Sequence, residues 1–154
     1  MSQAILVLED GRTFVGSRFG AEGERFGPLH VDSGMSGYQE SLTDPEASGR
    51  IVAFTTPHIG NTGWNDEDGR SPEIQAAGVV VRDPAPRPSN FRATRSLDEA
   101  LTADGIVGIR DVDTRALARH LRAHGPLQGA IVPGDDAQQA LERLHAHLSE
   151  REDA

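Results

Sequence analysis

The chain has 154 residues, 36% of them hydrophobic, and its 15 basic and 24 acidic side chains give a formal net charge of −9. That length suits one compact domain with a core of its own and leaves no room for a second, while the negative balance would repel a phosphate backbone and so argues against a nucleic-acid partner. Every basic residue is Arg and none is Lys, and Cys is absent, which removes Schiff-base and P-loop lysines, thiolate nucleophiles, disulfides and thiolate-held metals.

In chain order, "MSQAILVLEDG" meets a charged pair after a handful of apolar residues, too soon for a signal-peptide core or a membrane span, so a cytoplasmic protein with no membrane partner is expected. Asp10-Gly11 lies between two β-prone runs and predicts a tight hairpin turn. "PLHVDS", "RIVAFTT" and "AAGVVVRD" read as further strands bounded by Gly, Pro or Asp, separated by long loops such as "PHIGNTGWNDEDGRSPE".

The second half alternates helix and strand. "SLDEALTADG" offers Ser96 as N-cap with Glu99 three residues on, and Gly105 as a stop. After the short strand "IVGI", "DVDTRALARHLRAHG" places Asp113 before a helix whose Leu117 and Leu121 share a face, closed by Gly125. "GAIV" is another strand, and "DDAQQALERLHAHL" a helix with Leu141, Leu144 and Leu148 on one side. These elements predict an α+β domain over residues 1–148, antiparallel strands in its first half and βα units in its second, followed by a solvated charged tail at 149–154 that would start a linker.

Few side chains form a recognisable catalytic set. Ser33 or Ser36, His30 or His58, and Asp32 or Asp44 supply the residue types of a hydrolase triad, but no G-x-S-x-G elbow accompanies them and ordinary loop hydroxyls are the simpler reading. His120 and His124 stand one helical turn apart, yet Leu121 occupies the place where a zinc protease needs Glu, so they read as two solvated histidines. In "NDEDG" the calcium-loop register puts Trp64 at the first ligand position when Gly69 is the sixth, and the match fails. Arg82, Arg87, Arg92 and Arg95 surround "DPAPRPSNFRATR", either an Arg-bearing surface for a partner's carboxylates or an extended loop with scattered charge. "GMSGYQESLTDPEASG" at 34–49 and "TTPHIGNTG" at 55–63 are rich in hydrogen-bonding side chains and Gly but hold no obvious nucleophile; they read as a recognition or interface surface.

"LEDG", "GMSGYQESLTDP", "TTPHIGNTGWND", "GVVVRDP" with "SNFR", "GIVGIRDVDTRALARHLR" and "GAIVPGD", in that order and spacing, resemble the N-terminal domain of the small subunit of glutamine-dependent carbamoyl phosphate synthetase over nearly the whole chain. The resemblance implies a layered β/β/α "swivelling" domain that docks on the large subunit and lends a wall to a glutamine pocket at the boundary with a C-terminal glutaminase domain, which carries a Cys nucleophile and is absent here. It implies a share in supplying ammonia for carbamoyl phosphate in arginine and pyrimidine biosynthesis, no catalytic residue, metal or cofactor in this chain, and ATP and Mg²⁺ held by the large subunit. Docking candidates are Met35, Tyr38, Gln39, Thr43 and Asp44, then His58, Asn61 and Trp64, then Arg82 and Arg92. The sequence departs from the family pattern where Ser-Tyr usually follows Thr-Asp-Pro: Glu46 and Ala47 stand there, and Asp32 and Ser33 replace an upstream Asn-Thr. A carboxylate at the position that meets glutamine would oppose glutamine's own α-carboxylate, so Glu46 is expected to point into solvent. The alternative is a free-standing paralogue that binds another ligand or partner without glutaminase activity.

Overall fold

A computed structural model of the chain describes residues 3–32, 38–55, 74–83 and 96–152. Their order is β1 (Gln3–Leu8), β2 (Thr13–Gly20), β3 (Arg25–Asp32), α1 (Tyr38–Thr43), a 3-10 turn (Pro45–Ala47), β4 (Ile51–Phe54), β5 (Gly78–Val80), α2 (Leu97–Ala103), β6 (Val107–Arg110), α3 (Thr114–His124), β7 (Gln128–Pro133) and α4 (Ala137–Glu152).

The strands close into a barrel in the order β1-β2-β6-β5-β4-β3-β7. An α+β domain is what the patterning predicts and what the chain forms, but the division of strands is corrected. β3, β4, β5 and β6 pair parallel in succession, whereas β7, from the second half, is antiparallel to both β1 and β3. The β1–β2 hairpin is antiparallel as expected. The reason is the connection: β3 and β4 are joined by a segment containing α1, long enough to cross over and start β4 beside Leu29, midway along β3.

Period-2 alternation sorts the strands' side chains into an inside and an outside. Ala4, Leu6 and Leu8 of β1 meet Phe14, Leu29, Ile51, Ala53, Val80, Val107, Ile109 and Ile131 in the interior. Ile5 and Val7 face outward and are covered by Ala140, Leu144 and Leu148 of α4, which is why β1 reads as an unbroken apolar run. A second outer layer gathers Phe19, Val52, Phe54, Val79 and Val81 under Leu42 of α1 and Leu97 and Leu101 of α2. Each fully buried Leu or Ile stabilises the fold by about 1.5–3 kcal/mol.

The barrel is narrow, and glycine makes it so. A Cβ on Gly78 would lie 3.0 Å from Ile131 Cδ1, and one on Gly129 would collide with Leu29 while lying 3.1 Å from the Val7 carbonyl oxygen. Missing side chains thus let the two walls approach. The ends of the barrel differ. At the carboxyl ends of the parallel strands, Val112 and Leu117 join the interior cluster with half-buried Leu121 and Leu127 against it, so α3 closes that end as a stopper. The opposite end, where β1, β4, β5 and β6 begin, has no such helix among the described residues and opens into a cavity.

The helix termini follow their sequence signals. Ser96 accepts from the Glu99 N–H at 3.2 Å while the Glu99 carboxylate takes the Ser96 N–H at 3.1 Å, a complete capping box. Asp113 Oδ1 accepts from the Ala116 N–H at 3.0 Å to start α3, and Gly125 ends it. The expected charged tail continues α4 as far as Glu152, with Ser149 and Glu150 exposed to water. Arg143 of α4 grips the Glu24 carboxylate with both arms of its guanidinium at 2.7 and 2.6 Å, and His147 stacks on Phe26 with centroids 4.3 Å apart, fixing α4 to the start of β3.

Candidate functional site

Parallel strands aim their carboxyl ends at one place, and in open α/β sheets ligands gather outside those ends. Here β3, β4, β5 and β6 finish together beside α3. The Thr55 N–H donates to the Asp32 carbonyl at 3.2 Å, the Val81 N–H to the Ile109 carbonyl at 3.0 Å, and the Asp111 N–H to the Arg82 carbonyl at 2.8 Å. Asp111 adopts φ 65°, the left-handed region that few residues other than Gly enter. The segments 33–37, 56–73 and 84–95 follow directly on β3, β4 and β5 in the chain. They carry most of the recognition motifs.

The placement of the sequence-predicted residues is uneven. Met35, His58, Asn61, Trp64 and Arg92 lie outside the described residues, as do Ser33, Ser36, Arg87 and Arg95 and the whole of the long loop "PHIGNTGWNDEDGRSPE", including Gly69 of the calcium-like motif. Tyr38 opens α1. Gln39 and Thr43 are 6% and 1% exposed, and the Thr43 hydroxyl donates to the Gln39 carbonyl at 2.8 Å, so this helix turns both toward its own core. Arg82 is exposed at the strand ends, and its charge, with that of Arg119, helps hold the Asp113 carboxyl below its usual range; the largest cause is the hydrogen bond from the Ala116 N–H, and burial opposes.

Asp44 acts as the cap of the 3-10 turn, accepting from the Glu46 N–H at 3.0 Å, with Pro45 at the first position. The Glu46 side chain is exposed. Ala47 is buried at 7%, packed with Leu42 and Ala76; its small side chain suits that interior spot.

For the hydrolase reading, His30 is exposed and Asp44 is committed to its turn. Among the described residues no three His, Cys, Asp or Glu side chains come together as a metal cage. His120 is not simply solvated, and that expectation is corrected: its Nε2 lies 2.7 Å from Asp10 Oδ2, its ring packs 4.4 Å from that of His124, and the pair ties α3 to the β1–β2 turn. Burial pushes the Asp10 carboxyl up, but the Arg12 N–H and the neighbouring His120 outweigh it, with His124 assisting, so it titrates below its usual range. Sequence offered no signal for this contact, which joins residues 110 positions apart.

A family model described as "Carbamoyl-phosphate synthase small chain, CPSase domain" matches residues 6–131, from β1 into β7. The carbamoyl phosphate synthase small chain of Streptomyces coelicolor is 55% identical over 132 residues, covering 86% of this chain and 35% of the relative. Those of Mycobacterium leprae and Mycolicibacterium paratuberculosis are 53% and 49% identical over 136 and 152 residues, covering 87% and 96% of this chain and 36% and 41% of theirs. The chain thus spans little more than a third of the length of these relatives. With the match running through nearly every strand of the barrel, the chain belongs to the family of the carbamoyl-phosphate synthase small chain, CPSase domain.

Proposed function

We propose that this chain is the N-terminal docking domain of the glutamine-hydrolysing small subunit of a cytoplasmic carbamoyl phosphate synthetase, a module that seats that subunit on the large one and lends a wall to the glutamine pocket. The observation that carries the reading is the CPSase-domain match across residues 6–131. The convergence of β3, β4, β5 and β6 on one end supports it, because the motif-bearing segments leave the barrel there. Glutamine hydrolysis falls to a partner domain, since acyl transfer from an amide needs an activated nucleophile beside a base; ATP and Mg²⁺ fall to the large subunit. The barrel, with α4 over one wall and α1 and α2 over the other, is consistent with the layered β/β/α description of the family's domain. The pocket wall at 44–47 would offer the backbone of the Asp44-capped turn rather than the Glu46 side chain, which reaches into solvent.

The reading is tested by calorimetry of the purified chain with the large subunit from the same genome. Association is expected, and Arg82→Ala or Tyr38→Ala should weaken it by ~1–4 kcal/mol if either is an anchor of the interface. No association at about 100 µM, weaker than a working complex tolerates, would overturn it. The stand-alone module draws no support from the relatives, all of them carbamoyl phosphate synthase small chains.

A further inference from the structure

We propose that the open end of the barrel is a binding site for a small amphipathic carboxylate, on the face of the domain opposite the strand ends assigned to docking. The cavity there measures about 430 Å³, within the range of small-molecule pockets. Ala4, Val107, Ile131 and Pro133 form an apolar wall, and Arg18 and Glu22 stand at its rim.

Register explains why a cation sits at this place. Directly opposed residues of an antiparallel pair point to the same face. Arg18 pairs with Ile109 and Arg25 pairs with Ile131, and both isoleucines are interior residues. Both arginines therefore lie on the inner face of their strands, at the end where β1 begins. A guanidinium deeper in the barrel would be prohibitively desolvated, but at the mouth it stays wet while facing apolar walls. Arg25 is spent on two carbonyls, donating to Glu24 O at 2.7 Å and to Gly105 O at 3.1 Å, and so braces the rim. Arg18 holds the carboxylate of Glu22.

That ion pair is the informative feature. The Glu22 side chain is 82% exposed and that of Arg18 38%, so their attraction is screened and cheap to exchange. Glu22 is a carboxylate already seated on the guanidinium at the lip of an apolar cavity, and a ligand carboxylate could take its place while an apolar body entered toward Val107 and Ile131. The Glu24 carboxylate cannot compete, being clamped by Arg143. With Arg18 and Arg25 both on the inner face at this end, an entering anion meets guanidiniums in a protein of net charge −9.

The test is an NMR titration of the chain with 4-phenylbutyrate, with 4-phenylbutanol (the same body without charge) and inorganic phosphate (charge without the body) as comparison probes. Saturable shifts at Ala4, Gly23, Val107 and Gly108 are expected with 4-phenylbutyrate, at least ~10-fold tighter than with either other probe, since a hydrogen-bonded charge adds to the burial. Arg18→Met should weaken 4-phenylbutyrate by ~10-fold or more. Glu22→Gln, a change at an exposed side chain that the fold tolerates, should tighten it by ~2–5-fold by removing the internal competitor. Absence of shifts up to about 50 mM, equal binding of the alcohol or of phosphate, or weaker binding in Glu22→Gln would each overturn the proposal. Thermal melts of both variants separate lost binding from lost fold, and if Arg18→Met unfolds, the Glu22→Gln result decides alone.

Discussion

Replacing Leu117 by Ala asks whether α3 is the stopper of the barrel or a helix laid across it. Leu117 is 0% exposed and belongs to the same cluster as Leu8, Phe14 and Ile109 inside the strands. Removing three carbons forfeits ~2.4 kcal/mol of transfer free energy at about 0.8 kcal/mol per methylene. The closed barrel, its strands tied to one another all round, collapses poorly onto the gap, and a cavity term brings the loss to ~3–4 kcal/mol, inside the range for buried leucines. For a chain of this length, each kcal/mol moves Tm by about 2–4 °C, so calorimetry should show a fall of roughly 6–16 °C, with a lower urea midpoint at unchanged slope. Leu121→Ala, one turn on and only half-buried, gains the same helix propensity and serves as the comparison, with an expected loss of ~1–2 kcal/mol. A loss below ~1 kcal/mol at Leu117, or one no larger than at Leu121, would refute the idea that α3 completes the interior.

Asp111→Val should cost ~1–2 kcal/mol in denaturant unfolding, because a β-branched residue resists φ 65°, while Asp111→Gly should stay within about 0.5 kcal/mol of the parent; equal losses in the two would refute strain as the cause. Ser96→Ala removes one half of the capping box and should cost ~1 kcal/mol, rescued in part by Ser96→Asp and measured by urea melts. Because the folded Asp10 titrates below the ordinary carboxylate value of 3.8, its contribution is fully present above that value and is lost as pH falls through the lower, folded one. The stability gap between the parent and Asp10→Asn should therefore persist at about pH 5 and close only below about 4. A gap that closed above pH 5 would assign the linkage to another group.

Local chemistry was legible in the sequence and long-range closure was not. The Asp10-Gly11 turn, the Ser96 and Glu99 box, the Asp113 cap and the Gly125 stop are decided by neighbours within four residues, and each stands where its signal lay. The parallel pairing of β3 with β4, the return of β7 beside β1 and the approach of Asp10 to His120 depend on residues far apart in the chain, and no short window encodes them. α1 gives no sequence signal of its own, since Tyr38–Thr43 is too short for apolar periodicity to show. Of the candidate site, the Asx-capped turn at "TDPEA" came from the structure, although Asp before Pro is a local signal for it, and the burial of Gln39 and Thr43 came from tertiary packing that polar composition conceals. The Arg18 and Glu22 rim was missed because Arg on a strand reads as solvent-facing until its register against Ile109 is known.

Closure of the barrel also sets a timetable. Ala4 pairs with Pro133, so the first strand made waits for the last. At about 5–20 residues per second, synthesis leaves β1 without that neighbour for roughly 6–26 s. During that interval the hairpin with β2 protects one side of an almost wholly apolar strand, and the other side presents unpaired N–H and C=O groups to any passing chain. A folded barrel with no free edge among its described strands therefore passes through a nascent form that has a sticky one. Its yield is governed by how fast β7 arrives, and slow codons between α3 and β7 would harm it more than equally slow codons after Pro133.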